Sequence, residues 1–143
     1  MSLRQRLLLG TGLLVLVQVG HLLDVLRYYE EATLVGALTN PLGWVGIGVA
    51  LAAFLAIAAD HASARGMAML AGLGVGIGFL LYHGIPVDLG ANNPYWGTPD
   101  ANADAIMWGS VIALILIGVW TAWTAWAAGR TSDDELAQAA ART

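Results

Sequence analysis

The chain of 143 residues contains no cysteine. That excludes disulfides, thiolate metal sites, iron–sulfur clusters and a cysteine nucleophile, and it leaves any metal to nitrogen and oxygen ligands. Charge is scarce, at 11% of residues, and the six basic side chains are scattered, so no basic stripe interleaved with aromatics offers itself to nucleic acid. Enzyme signatures are missing as well: the sequence has no G-x-S-x-G elbow, no H-E-x-x-H, no Walker A loop and no Rossmann fingerprint. "GLGVGIG", Gly72 to Gly78, resembles a nucleotide loop only in letters, because it lies inside an apolar run with no strand before it. Ser63 and Ser110 sit in no hydrolase motif, which leaves a serine hydrolase without support.

What the chain has in excess is hydrophobicity, 58% of residues with a mean hydropathy of +0.69. This lies outside soluble composition and places the chain, one domain by length, in a lipid bilayer. The opening "MSLRQRLLLGTGLLVLVQVG" has the basic start and apolar run of a signal peptide, but cleavage after Gly20 would put Gln18 where a small residue is needed, and a retained first span is the better reading.

Crossing about 30 Å of hydrocarbon at a rise of about 1.5 Å per residue takes about 20 apolar residues. Four segments meet or approach this, 7–26, 41–59, 67–85 and 105–128. In "TNP", Asn40 is an expected N-cap with Pro41 in the first helical position, and "TPD" sets Thr98, Pro99 and Asp100 in the same roles for the fourth helix. Gly129 is its expected end. The predicted fold is all-α, an integral membrane four-helix bundle over residues 1–129 with a polar tail at 130–143 that forms a helical turn or two. With the N-terminus inside, Arg4, Arg6, Arg65, Arg130 and Arg142 fall on the inner side and only Arg27 on the outer, so both termini are expected to be cytoplasmic in a plasma-membrane, multi-pass chain. The outer side then collects Asp24, Glu30, Glu31, Asp88, Asp100 and Asp104. Trp120, Trp123 and Trp126 are expected interface anchors at the inner end of the fourth span.

One feature does not fit a plain membrane helix. At about 100° per residue, Gln18, His21, Asp24, Tyr28 and Glu31 fall in a sector of roughly 140°, a polar stripe on the first span. A charged carboxylate at the centre of a membrane helix costs about 2.5–3.5 kcal/mol, less near the interface, so Asp24 is expected to face protein or water. On the third span Gly72, Gly76, Phe79 and His83 share a face of about 60°, which predicts that His83 points into the bundle. Gly74 and Gly78 make a second row that predicts close packing there too. His21, Asp24 and His83 are thus expected to converge near the outer surface, supported by Asp104, which with Asp100 is i, i+4 on the fourth helix.

Two imidazoles and one or two carboxylates form the inventory of a site for a divalent transition metal such as zinc, iron, copper or manganese. They equally suit a proton relay or cation pathway. A third reading is structural, the stripe fixing helix register and nothing more. The leading function is accordingly an outward-facing His/Asp site that binds or passes a small cation, proton or polar solute, with Gln18 and Tyr28 lining it, in a homo-oligomer. The alternatives are an accessory subunit of a larger membrane complex and a membrane enzyme with a His/carboxylate metal centre. His61 and Arg65 are expected to complement the C-terminal dipole of the second helix. The outer loop "GIPVDLGANNPYWGTPDANAD" is long enough to be a structured cap. His21 and His83 are each followed by an Asn-Pro with a tryptophan close behind, "TNPLGW" and "NNPYWG", a faint echo between two hairpins.

Overall fold

The computed structural model describes residues 1–28, 39, 41–85 and 104–140, with the side chains of 25–28, 42 and 131–140 excepted. Helix α1 runs over Leu3–Tyr28, α2 over Pro41–Ala58, α3 over Ala64–Phe79 and α4 over Ala105–Ala140. A single π-helical turn, Leu80–Gly84, continues α3 to the point where Ile85 becomes extended. The fold is an all-α four-helix bundle. Within it Leu3–Asp24, Ala64–Gly84 and Ala105–Arg130, of 22, 21 and 26 residues, are long and apolar enough to cross a membrane. The 18 residues of α2 are the most hydrophobic on average and reach about 27 Å at the helical rise, close to the thickness of the hydrocarbon.

The helices form a ring in which α1 packs on α2 and α4, and α3 packs on α2 and α4. Three layers fill it. Leu7, Ile57, Ala68 and Ala125 close one end. Leu14, Ala50, Val75 and Leu114 make the middle, and Met107 and Val111 with Phe79 and Trp108 lie towards the other end. Residue numbers rise through the layers along α1 and α3 and fall along α2 and α4, so neighbouring helices are antiparallel. Leu14 and Leu114 have no exposed surface, and the middle layer is therefore a dry apolar plug.

Backbone contact between α3 and α4 is the tightest in the bundle. A Cβ at Gly72 would meet the carbonyl oxygen of Gly118 at 2.5 Å, and one at Gly118 would meet that of Gly72 at 2.6 Å. Small residues thus let the two backbones touch, as the Gly72/Gly76 face predicts. The second glycine row behaves differently: positions Gly74 and Gly78 have nothing within 4 Å among the described residues and look outward, because they sit about 120–160° around the helix from Gly72 and Gly76. Elsewhere Phe54 lies on Gly12 and Thr121 lies on Gly10. The buried hydroxyls of Thr11 and Thr121 donate to carbonyls one turn back, Leu7 and Ile117, so neither leaves a polar atom unsatisfied in the apolar interior.

Two expected ends are corrected. Gly129 does not stop α4, which continues to Ala140, so 130–140 is helix rather than a loose tail with a turn or two. The glycine is instead where the Arg65 guanidinium approaches the helix. The C-terminus of α2 is closed by backbone N–H groups and by Arg4, with no hydrogen bond to its last carbonyls from the His61 or Arg65 side chain among the described residues. Asp60 takes φ 51°, the His61 N–H reaches back to the Ala56 carbonyl at 2.9 Å, and Arg4 Nη2 donates to the Ala58 carbonyl at 2.9 Å. This is a Schellman-like end with an aspartate at the left-handed position. The Arg4–Asp60 ion pair, 2.8 Å, then ties the start of α1 to the α2–α3 turn. Pro41 does open α2, whereas Asn40, Thr98, Pro99, Asp100 and the outer loop lie outside the described residues.

Candidate functional site

The end of the bundle opposite Arg4, Arg65 and Arg130 carries the polar residues of the first and third spans. About five turns into α1, His21 turns inward and is only 8% exposed; His83, in the π turn, is 6% exposed. Their rings meet edge to face with centroids 5.2 Å apart. Phe79 closes the triangle, 5.1 Å from His21 and 5.7 Å from His83, and Tyr82 stands perpendicular to His83 at 4.7 Å. The π turn matters for this placement. An i→i+5 turn carries an extra residue per turn, so it slows the rotation of the side chains and lets Tyr82 and His83 both reach the same cluster.

Helix α4 supplies the third wall. His21 Nδ1 lies 2.8 Å from Ser110 Oγ, and that hydroxyl donates to the Met107 carbonyl at 2.8 Å. A hydroxyl has one proton to give. When the Ser110 proton goes to Met107, His21 Nδ1–H is the donor to Ser110 Oγ, an assignment that makes the neutral ring the Nδ1–H tautomer and Nε2 its basic atom. Asp24 follows His21 at i+3 on the same face, and its Oδ2 is sealed from solvent inside the chain. His21, Asp24 and His83 are thereby drawn from two helices to one end of the bundle, with His21 in contact with α3, the π turn and α4.

The other expected site residues fare differently. Gln18 is buried, but its amide donates to the Leu14 carbonyl at 3.0 Å and its oxygen rests against Gly46 of α2. It is packed between α1 and α2 rather than lining the histidine cluster. Asp104 precedes α4, and Asp100 lies outside the described residues. Asp104 Oδ1 accepts the N–H groups of Ile106 and Met107, at 2.9 and 3.0 Å, which makes Asp104 the N-cap of α4. The side chain of Tyr28 lies outside the described residues. Ser110 and Tyr82 are the partners that sequence reasoning missed. Ser110 carried a usable signal, a lone hydroxyl inside an apolar membrane run, but it was weighed only as a nucleophile.

Among the described residues no three histidine, aspartate or glutamate side chains group as a set able to hold a metal ion. Comparison with family models, with curated proteins and with solved structures finds no match to this chain. What the fold and site define is a small polytopic membrane protein with a buried histidine pair, and the class rests on these observations alone.

Proposed function

We propose that this is a plasma-membrane protein with both termini cytoplasmic, whose polar pocket of His21, Asp24 and His83 at the outer end binds a small cation or exchanges protons with the outer medium. The observation that carries the reading is the pairing of His21 and His83, two buried imidazoles with centroids 5.2 Å apart, from helices distant in sequence. Ionisable groups inside a membrane domain are costly, and the usual reason to keep them is a ligand or a proton. Nε2 of His21 is the basic atom poised for that role, with Ser110 holding the ring by its other nitrogen. Asp24 supplies a negative charge on the same face, so a proton or cation arriving at the imidazoles leaves the pocket near neutral.

The dry layer of Leu14, Ala50, Val75 and Leu114 stands between this pocket and the arginine end. That favours local binding or exchange over passage through the middle of one bundle. A divalent transition metal is the least supported occupant, since no third ligand groups with the pair among the described residues. Orientation follows from the arginines Arg4, Arg65 and Arg130, which gather at the end opposite the histidines. A second reading, a subunit that packs within a larger complex or with copies of itself, is favoured by the outward row of Gly74 and Gly78, which nothing among the described residues covers.

Binding of protons and of monovalent and divalent cations to the purified protein in detergent tests the proposal, with His21→Gln and His83→Gln compared at equal helix content. Uptake that both substitutions abolish is the expected result. Uptake unchanged in both variants, or none in the parent, would sink the reading and leave the pair as structural packing. Because the chain has no cysteine, Ser63→Cys gives a single label site for the orientation: an impermeant thiol reagent is expected to reach it in spheroplasts only after permeabilisation.

A further inference from the structure

The arginine end carries a second arrangement that the histidine pocket does not use. Arg4 is spent on Asp60 and on the Ala58 carbonyl. Arg65 and Arg130 are held in another way. The Arg65 guanidinium lies across Gly129 of α4, its Cζ and Nη1 each 3.2 Å from where a Cβ would stand, and Gly129 is buried beneath it. The Arg130 guanidinium stacks over Trp126, 4.9 Å from the ring centroid, and Trp126 in turn packs on Trp123 at 4.8 Å. Neither guanidinium meets a carboxylate among the described residues, where Arg4–Asp60 is the ion pair found.

Stacking uses the flat face of a guanidinium and leaves its five N–H donors pointing out from the edge. Two such forks, seated on one turn of α4, have donor edges that meet no carboxylate among the described residues. The exposed Trp120, Trp123 and Trp126 place this corner at the depth of lipid headgroups. The planar fork matches two oxygens of a phosphate better than any neutral acceptor available at that depth.

We infer that this corner binds the headgroup phosphate of an anionic phospholipid, with Arg65 and Arg130 as the phosphate ligands and Gly129 and Trp126 as the seats that orient them. A net-negative headgroup is favoured because a zwitterionic one brings its own ammonium group to its phosphate, whereas a net-negative one leaves its charge for the two arginines. The inference is independent of what the histidine pocket does.

The test titrates the full chain in mild detergent with phosphatidylglycerol and, separately, phosphatidylcholine, counting bound lipid by native mass spectrometry and checking helix content by circular dichroism. Phosphatidylglycerol is expected to be retained in preference, and its affinity to fall about fivefold for each arginine removed in Arg65→Gln and Arg130→Gln. Gly129→Leu keeps every charge but unseats Arg65, and it is expected to weaken phosphatidylglycerol by a similar factor. Arg4→Gln removes the same charge from the same end and is expected to leave retention within about twofold, since its donors are already committed. Equal losses in Arg4→Gln and Arg65→Gln would reduce the effect to diffuse charge attraction and overturn the site. Equal retention of the two lipids would overturn it too. Displacement of the lipid by excess inorganic phosphate would show the ligand to be the free ion and refute the lipid assignment.

Discussion

Replacing Gly72 by alanine puts one methyl group where the α3–α4 crossing has no room. Its Cβ would stand 2.5 Å from the Gly118 carbonyl oxygen and 2.7 Å from the Ala122 nitrogen, both backbone atoms. Ordinary van der Waals contact begins at 3.4 Å, so the helices must part by the difference between 3.4 and 2.5 Å, about 0.9 Å. A side-chain end could swing aside, but a helix backbone cannot. Overpacking of this kind costs about 1–3 kcal/mol, and the upper half of that range applies where backbone meets backbone. Alanine returns up to about 1 kcal/mol through its helix propensity. The net expectation for Gly72→Ala is a loss of about 1–2 kcal/mol. Gly74→Ala receives the propensity gain with nothing within 4 Å to clash, so its expected change runs from zero to a gain of about 1 kcal/mol. Equilibrium unfolding in mixed micelles, with sodium dodecyl sulfate as denaturant and tryptophan fluorescence as readout, measures both. Gly118→Ala should cost about as much as Gly72→Ala, since its Cβ meets the Gly72 oxygen at 2.6 Å. Combining the two should cost less than their sum, because the helices part only once. Equal stability of Gly72→Ala and Gly74→Ala would refute the packing described for α3 and α4.

Three further expectations concern single contacts. Asp104→Ala should lose about 1 kcal/mol by removing the N-cap of α4, while Asp104→Asn should lose little, and unfolding midpoints of the two variants separate capping from a charge requirement. Ser110→Ala removes the acceptor that holds His21 Nδ1–H; nitrogen chemical shifts of the neutral ring should then report a mixture of tautomers, with about 1 kcal/mol of stability lost, and a purely Nδ1–H ring in that variant would contradict the bond. Asp60→Gly should leave stability unchanged or raised by up to about 1 kcal/mol, since relief of a positive φ offsets the loss of an exposed ion pair; a loss beyond about 1 kcal/mol would mean that the Arg4 contact matters more than its exposure suggests.

Much of this architecture was legible because a membrane writes its demands in length and composition. The three long spans and the inward face of α3 with Gly72, Gly76, Phe79 and His83 follow from hydropathy and helical phase alone. The same phase argument failed for Gly74 and Gly78. Periodicity identifies a row of small residues but does not say whether another helix arrives to meet it. Helix ends were the least readable. Gly129 looks like a stop in sequence, yet α4 continues through it into 135–140, where Glu, Leu, Ala and Gln have good helix propensity. Asp104 looked like part of a carboxylate pair because Thr98–Asp100 offers a stronger capping pattern upstream; the helix begins later and takes Asp104 as its cap. The pairing of His21 with His83 could be inferred from faces, whereas its hydrogen-bond partner could not. Ser110 belongs to a helix whose rotation only the packed bundle fixes.

The account rests most heavily on His21 and His83 acting as one ionisable unit. With three histidines in the chain, selective nitrogen-15 labelling gives a spectrum simple enough to follow each ring through the range in which imidazole ordinarily ionises. The account predicts that His21 is the Nδ1–H tautomer when neutral, that it takes up a proton, and that His83→Gln changes its titration while leaving the exposed His61 untouched. A His21 that stays neutral throughout, or that titrates identically with and without His83, would contradict it.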